Sequence, residues 1–221
     1  MINGPSLRPT QGRVEHLVVL LHGYGTNGED LLSLGHSWRK YLPQAEFIAP
    51  HAPFACENSP FFGRQWFDIS HWTPESLLAG AKECAPYLNE FLDTTLSDRG
   101  LRSEDLALAG FSQGTMMALH CALSRPAPCA GVLGYSGALL IEDAQVKSKP
   151  PVLLIHGEED HVVDFYEMER ASNLLHSWKV PVETRARPGM GHGIDEESVS
   201  LGGHFLQQAL QHKRQRSAAL R

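Results

Sequence analysis

Cysteine is scarce in this sequence, and no two cysteines have the close spacing of a zinc site or a redox motif. The four present predict free buried thiols in a reducing cytoplasm, and they are Cys56, Cys84, Cys121 and Cys129. No apolar run approaches the roughly 20 residues that a transmembrane helix needs. The first eleven residues lack the charged and then apolar pattern of a signal peptide. These absences predict a cytoplasmic protein with no integral membrane segment and no metal site.

An excess of basic residues is also missing. The 221 residues include 19 Lys and Arg against 25 Asp and Glu, which gives a formal net charge of −6. Since a phosphate backbone is bound by a basic face, this charge argues against nucleic acid as a partner. With 42% hydrophobic and 20% charged residues, the chain is expected to fold. Its length fits one domain, residues 1–221, with residues 1–12 as an N-terminal extension.

Several short apolar runs are continuous rather than alternating, which is typical of strands buried on both faces of a parallel sheet. These runs lie at residues 18–21, 106–109, 131–135 and 152–155, with weaker strand patterns at 46–49 and 182–186. Helical patterns separate the strands, at residues 29–40, 74–96, 115–123, 166–178 and 196–210. The alternation predicts an α/β fold, in which a mostly parallel central sheet carries helices on both faces.

The sharpest motif is Gly-Phe-Ser-Gln-Gly at residues 110–114, between a predicted strand and a predicted helix. This setting is typical of a nucleophile elbow, a tight turn that raises a serine hydroxyl at the carboxyl end of a strand. Ser112 is therefore the predicted nucleophile. Ser136 follows another predicted strand, but no second spaced glycine comes after it, so it is interpreted as a strand-end turn.

A serine hydroxyl attacks well only when a base takes its proton and a carboxylate orients that base. In enzymes with such an elbow, the chain order is serine, acid, histidine. His192 lies in the glycine-rich loop 189–193 after the last predicted strand, and it is the predicted base. Asp160 follows the strand at 152–155 and is the predicted acid. Three nearby carboxylates remain open as alternatives for the acid, namely Glu158, Glu159 and Asp164.

Residues 23–28 read G-x-G-x-x-G directly after the first predicted strand, like a dinucleotide-binding loop. That fingerprint also needs an acidic residue at the end of the second strand, and residues 47–51 contain none. The loop is therefore predicted to help form an oxyanion hole. Its donors would be the backbone N–H groups of Tyr24 and of Gln113, the residue after the nucleophile.

Aromatic residues are concentrated in residues 54–73, which have little helical or strand periodicity. They are Phe54, Phe61, Phe62, Trp66, Phe67 and Trp72. We expect this segment to be a loop near the active site. Its rings either pack the loop onto the core or form an apolar wall for an acyl chain. Trp66 and Phe67 are the predicted substrate contacts.

Taken together, the motifs resemble those of the phospholipase/carboxylesterase family, small α/β-hydrolases that include acyl-protein thioesterases and lysophospholipases. The matching segments are His-Gly-Tyr-Gly at 22–25, Gly-Phe-Ser-Gln-Gly at 110–114, His-Gly-Glu-Glu-Asp at 156–160, Gly-His-Gly at 191–193 and Trp-Phe-Asp at 66–68. The resemblance implies an α/β-hydrolase fold, a Ser112–His192–Asp160 triad, no cofactor, and ester or thioester substrates. Residues 24–26 are Tyr-Gly-Thr where eukaryotic-type thioesterases tend to carry Leu-Gly-Asp, so the motifs are more similar to those of bacterial carboxylesterases.

These observations predict a serine carboxylesterase that hydrolyses short- to medium-chain carboxylic esters through an acyl-enzyme. Lysophospholipase or acyl-protein thioesterase activity is the alternative within this class. A non-catalytic binding module on the same fold is the alternative outside it. The expected partners are a small ester or lipid-like acyl substrate, with a homodimer left open, and neither nucleic acid nor an integral membrane contact is expected.

Overall fold

The computed structural model describes residues 2–56, 59 and 63–218, with side chains as far as Gln211. The strands in this part of the chain are β1 (Ser6–Leu7), β2 (His16–Leu21), β3 (Ala45–Ile48), β4 (Phe54–Ala55), β5 (Arg64–Gln65), β6 (Leu106–Phe111), β7 (Gly131–Tyr135), β8 (Val152–Gly157) and β9 (Val182–Arg187). The α-helices are α1 (Gly28–Trp38), α2 (Pro74–Arg99), α3 (Gln113–Ser124), α4 (Tyr166–Ser177) and α5 (Glu196–Ala218).

Seven of the strands form one sheet, in the order β1-β3-β2-β6-β7-β8-β9. The pairs are parallel except for β1, which runs antiparallel to β3. In the register of β2, Val19 lies opposite Ile48 of β3 and Leu108 of β6. The predicted α/β-hydrolase fold with a mostly parallel sheet is confirmed, and every predicted strand and helix has a counterpart.

Each face of the sheet has its own hydrophobic core. Leu17, Val19 and Leu21 of β2 pack with residues of α2, α3 and α4. Val18 and Leu20 pack on the opposite face with residues of α1 and α5. All of β2 is buried because successive side chains of a strand point to opposite faces and both faces are covered.

Side-chain caps and a glycine fix the helix ends near the functional loops. The Asn27 side chain accepts a hydrogen bond from the N–H of Glu29 where α1 begins. The Thr73 hydroxyl does the same for Ser76 at the start of α2. Helix α2 ends at Arg99 and is capped by Gly100, whose φ of 63° is a left-handed conformation that glycine adopts without strain.

Three short strands correct the sequence-based description. Strand β1 lies within residues 1–12, so part of the predicted N-terminal extension forms an edge of the main sheet. Strands β4 and β5 pair as an antiparallel hairpin within residues 54–73, so the predicted aromatic loop contains regular structure. Each of these strands has two residues, which is too short for an alternating pattern to be read from the sequence.

Other sequence-based expectations concern the cysteines and the membrane. All four cysteines are buried, and none forms a disulfide. Within the described part of the chain, no helix combines the length and apolarity needed to cross a bilayer.

Candidate active site

Ser112 lies in a sharp turn between β6 and α3, with φ of 54° and ψ of −119°. A positive φ is unfavourable for a residue that carries a Cβ. The flanking glycines allow very close packing of the backbone. A Cβ on Gly114 would lie 1.8 Å from the Leu21 carbonyl oxygen, and one on Gly110 would lie 2.4 Å from the Gly114 carbonyl oxygen. Both glycines of the motif are therefore required by the turn.

Hydrogen bonds hold this turn against β7. The backbone N–H of Ser112 donates to the Tyr135 carbonyl at 2.9 Å. The Thr115 hydroxyl lies 2.7 Å from the Gly110 carbonyl oxygen and 2.8 Å from that of Tyr135. A strained backbone conformation is kept only where the surrounding contacts hold it in place. These hydrogen bonds hold the backbone of Ser112 in its positive-φ conformation.

Asp160 and His192 meet at the carboxyl edge of the sheet. Nδ1 of His192 donates to Oδ2 of Asp160 at 2.8 Å. The other carboxylate oxygen, Oδ1, accepts hydrogen bonds from the N–H groups of Val162 at 2.9 Å and Val163 at 3.0 Å. Because a carboxylate only accepts, Nδ1 of His192 carries the proton and Nε2 is left with a lone pair. This is the tautomer that a general base needs.

The charge of Asp160 follows from its surroundings. Burial by itself raises the pKa of the Asp160 carboxyl, but hydrogen bonds from His192, Val163 and Val162 outweigh it, so the pKa lies below the usual value. Asp160 is therefore ionised at neutral pH. In the described structure, the carboxylate that hydrogen-bonds His192 is that of Asp160 and not that of an alternative acid. Two of the alternatives, Glu158 and Glu159, are exposed, while Asp164 accepts a hydrogen bond from the N–H of Tyr166.

Ser112 and His192 line one cavity of about 210 Å³. Its wall also includes Tyr24 and Gln113, the two predicted oxyanion donors. The rest of the wall is mainly apolar, with contributions from Ile69, Trp72, Phe111, Met116 and Val162. The described hydrogen bonds of His192 reach Asp160 and not Ser112, and serine–base contacts often tighten only when substrate is bound.

The loop that carries Tyr24 is held by a buried histidine. Nδ1 of His22 donates to the Gly23 carbonyl at 2.7 Å, and Nε2 accepts from the N–H of Ala52 at 2.9 Å. Burial dominates the electrostatics and lowers the pKa of His22 to about 4. The ring is therefore neutral at pH 7, and it fixes the residue that precedes Tyr24.

Trp66 and Phe67, the predicted substrate contacts, lie in the core and are not part of this cavity wall. The indole N–H of Trp66 donates to the His22 carbonyl at 2.9 Å, and its backbone N–H donates to Oε1 of Gln113 at 2.8 Å. The amide nitrogen of the same Gln113 side chain donates to the Phe67 carbonyl at 2.8 Å. Both residues therefore anchor the segment in the core, and their contact with substrate stays a prediction.

Other residues of the aromatic segment do reach the cavity. Ile69 and Trp72 line it, and 51% of Trp72 is exposed. Phe54 packs edge-on against Tyr87, with ring centroids 5.7 Å apart. Phe61 and Phe62 lie outside the residues that the structure describes. The segment therefore contributes both to the core and to the cavity, through different side chains.

Two cavity residues were missed by the sequence analysis, although their positions carried a signal. Met116 is four residues after Ser112 on α3, and residues at that spacing share one helix face. Val162 follows Asp160 in the same turn and is 61% exposed at the cavity. Ile69 carried no comparable signal, because it lies in an irregular loop.

The remaining sequence candidates are placed elsewhere. Ser136 follows β7, is 1% exposed, and does not line the cavity that holds Ser112. In the part of the chain with described side chains, no three His, Cys, Asp or Glu residues are grouped to hold a metal ion.

Known proteins resemble this chain along nearly its whole length. The sequence model of the phospholipase/carboxylesterase family matches residues 3–210. Acyl-protein thioesterase 1 of Gibberella zeae is 28% identical over 225 residues, covering 93% of this chain and 95% of that protein. Esterase YpfH of Escherichia coli is 27% identical over 187 residues, covering 85% of this chain and 80% of that protein. The crystal structure of esterase PE8 has a TM-score of 0.90 and 39% identity, covering 95% of this chain and 99% of the other.

Proposed function

The chain belongs to the phospholipase/carboxylesterase family of serine hydrolases, which act on ester bonds, and from this premise we propose that it is a carboxylesterase for short- to medium-chain esters. One observation carries the proposal. Ser112, in a strained turn, lines the same cavity as His192, whose imidazole is hydrogen-bonded to the buried carboxylate of Asp160. This arrangement has the parts that nucleophilic acyl transfer requires.

In the first step, Ser112 Oγ attacks the ester carbonyl carbon while Nε2 of His192 takes the hydroxyl proton. The carbonyl π electrons move to oxygen, and the backbone N–H groups of Tyr24 and Gln113 stabilise the resulting oxyanion. Asp160 keeps the imidazole oriented and stabilises its positive charge without taking the proton.

In the second step, the tetrahedral intermediate collapses and the bond to the alcohol oxygen breaks. His192 returns its proton to that oxygen, so the alcohol leaves and an acyl ester on Ser112 remains. Water then attacks the acyl-enzyme with His192 again as base. The carboxylic acid is released and the Ser112 hydroxyl is restored, so no cofactor is needed.

The cavity supports a small acyl group. Its volume of about 210 Å³ is below the roughly 300–1,000 Å³ of sites for larger ligands. Apolar side chains of Ile69, Met116 and Val162 suit a hydrocarbon chain better than a polar one. Trp72 and Val162, both more than half exposed, could contact chain carbons beyond the cavity mouth. Acyl chains of short to medium length fit this description.

Acyl-protein thioesterase activity is the second candidate, because a relative of that name is 28% identical over 93% of this chain. Thioester hydrolysis would use the same triad with a thiolate leaving group. Lysophospholipase activity belongs with it, as the family description includes phospholipases. A non-catalytic binding module is disfavoured, since the positions of nucleophile, base and acid are all filled.

A fluorophosphonate probe tests the nucleophile directly. We expect stoichiometric labelling of Ser112, loss of labelling in Ser112→Ala, and normal labelling in Ser136→Ala as the matched control. Labelling that persists in Ser112→Ala would overturn the assignment, and a parent protein that is never labelled would favour the binding module.

A single panel of ester, thioester and lysophospholipid substrates, measured on one preparation of the protein, tests the substrate class. We expect acetyl and butyryl p-nitrophenyl esters to give a higher kcat/KM than palmitoyl esters, palmitoyl thioesters or lysophospholipids. A preference for the palmitoyl thioester would replace the carboxylesterase proposal by the thioesterase one.

We also propose a cytoplasmic setting and leave a homodimer open. The four cysteines are buried and form no disulfide, which supports the first, because disulfides are rare in the cytosol. Light scattering on the purified protein tests the second, and a monomer mass at all concentrations would rule it out.

A further inference from the structure

A second histidine approaches the carboxylate of the proposed acid. His156 ends β8 as the residue before Gly157, and its side chain is 2% exposed. Its Nε2 lies 3.2 Å from Oδ2 of Asp160, the oxygen that accepts the hydrogen bond from His192 at 2.8 Å. Two imidazole nitrogens from different segments therefore lie within 3.2 Å of one carboxylate oxygen.

The protonation of His156 Nε2 follows from its hydrogen bond. This nitrogen lies 2.9 Å from the carbonyl oxygen of Val163, and because a carbonyl only accepts, Nε2 carries a proton. The N–H of Val163 in turn donates to Oδ1 of Asp160 at 3.0 Å. His156 thus holds in place the turn whose backbone N–H binds Oδ1 of Asp160. It also places a partly positive N–H close to Oδ2.

The surroundings of His156 hold the ring in place and add no further charge. Phe165 packs edge-on against it, with ring centroids 6.0 Å apart. The narrow gap beside the ring is lined by uncharged residues of β7, β8, α3 and α4 and of the turn after β7, among them Thr115, Met168 and Ser136. In the described structure, the charged and titratable groups facing the Asp160 carboxylate are His156 on β8 and His192 on the loop after β9.

We infer that His156 is a positioning residue that sets the orientation and charge distribution of the Asp160 carboxylate, and through it the basicity of His192. The inference rests on the proposed function, since Asp160 matters to catalysis only as the acid of that triad. His156 itself touches neither substrate nor the reacting atoms.

Removing the N–H of His156 has two consequences. The negative charge of Asp160 becomes more concentrated on the contact with His192, which favours the protonated, inactive form of that base. The acidic limb of the pH profile of kcat/KM should therefore move to higher pH, by about half a unit to one unit. The turn at Val163 also loses its tie, so kcat should fall roughly five- to tenfold while KM changes little.

The experiment compares His156→Leu, which removes the N–H, with His156→Gln, whose amide nitrogen can replace it. His120→Leu is the matched control, because His120 is also buried and bonded to a carbonyl, that of Leu140, without contacting Asp160. We expect the shifted limb and lower kcat in His156→Leu, recovery in His156→Gln, and an unmoved limb in His120→Leu.

Equal profiles for folded His156→Leu and the parent would overturn the role of His156, as would identical defects in the Leu and Gln variants. If His156→Leu does not fold, His156→Asn replaces it, because its shorter amide does not reach the Val163 carbonyl. Asn and Gln variants that behave alike would then overturn the inference. Activity that survives in Ser112→Ala would instead remove the proposed function, so the two failures are distinguishable.

Discussion

The backbone N–H of Trp66 donates a hydrogen bond of 2.8 Å to the side chain of Gln113, a residue 47 positions further along the chain. The same side chain donates to the Phe67 carbonyl at 2.8 Å. Gln113 also follows Ser112 and offers its backbone N–H as a proposed oxyanion donor. One residue therefore joins the start of α3 to the segment that leads from β5 to the cavity wall at Ile69.

We predict that Gln113→Ala loses stability while retaining the backbone oxyanion donor. Two buried backbone groups, the Trp66 N–H and the Phe67 carbonyl, would lose their partner, at a cost of about 2–4 kcal/mol. Thermal unfolding should occur roughly 5–15 °C lower. Gln65→Ala is the control, because the Gln65 amide makes its hydrogen bond to Ala55 at the surface. Similar melting temperatures for the two variants would contradict the anchoring role.

Two tryptophans of the aromatic segment should behave differently. Trp72→Ala removes an exposed ring from the cavity wall, so it should lower kcat/KM more for longer acyl chains than for acetyl esters. Each CH₂ that loses its contact is worth about 0.8 kcal/mol, or roughly fourfold. Trp66→Ala should instead destabilise the protein by about 3–5 kcal/mol, because the ring is fully buried.

Chain-length series of p-nitrophenyl esters on both variants, with thermal melts, check this pair of expectations. An equal loss for every chain length in Trp72→Ala would mean that this ring packs the loop and does not contact the acyl group.

The sequence predicted the residues at the sheet edge because strong patterns precede them. Ser112 and Asp160 each follow a continuous apolar strand, and His192 lies in a glycine-rich loop after β9. The carboxyl ends of parallel strands meet at one edge, so the fold itself brings such residues together. The identity of the acid was left open, since several carboxylates share one turn and only the direction of each side chain separates them.

The aromatic segment could not be interpreted in the same way. Aromatic composition indicates buried apolar surface but not which ring faces the core. Trp66 is fixed by hydrogen-bond partners on His22 and Gln113, distant in sequence, and no local pattern reports such contacts. The two-residue strands β1, β4 and β5 depend equally on their pairing partners.

Asp160→Asn should reduce kcat by roughly three to four decades. The amide can donate to Nδ1 of His192 and so favours the tautomer in which Nε2 is no longer a free base, a change that costs on the order of 10⁴ in a serine-protease triad. Kinetics should be compared on variants that melt near the parent temperature, because Asp160 also binds the N–H groups of Val162 and Val163.

Three neighbouring carboxylates provide matched controls for Asp160. Each should lose less than about tenfold in kcat, which corresponds to about 1.4 kcal/mol of barrier. The control variants are Glu158→Gln, Glu159→Gln and Asp164→Asn. A folded Asp160→Asn that keeps most of its kcat, together with a collapse in Asp164→Asn, would show that the acid is misassigned.

Acid should weaken the fold through His22. Its pKa is lowered by burial from 6.5 to about 4, so as pH falls the unfolded chain takes up a proton before the folded one can. The contribution of neutral His22 is complete above pH 6.5 and is lost as pH falls towards about 4. Between about pH 7 and pH 5, the parent should lose about 2 kcal/mol more unfolding free energy than His22→Gln.

Urea unfolding at several pH values measures this difference in unfolding free energy. The control is His176→Gln, because His176 lies on the exposed face of α4. Parallel pH dependences in parent and His22→Gln would mean that His22 is not held neutral.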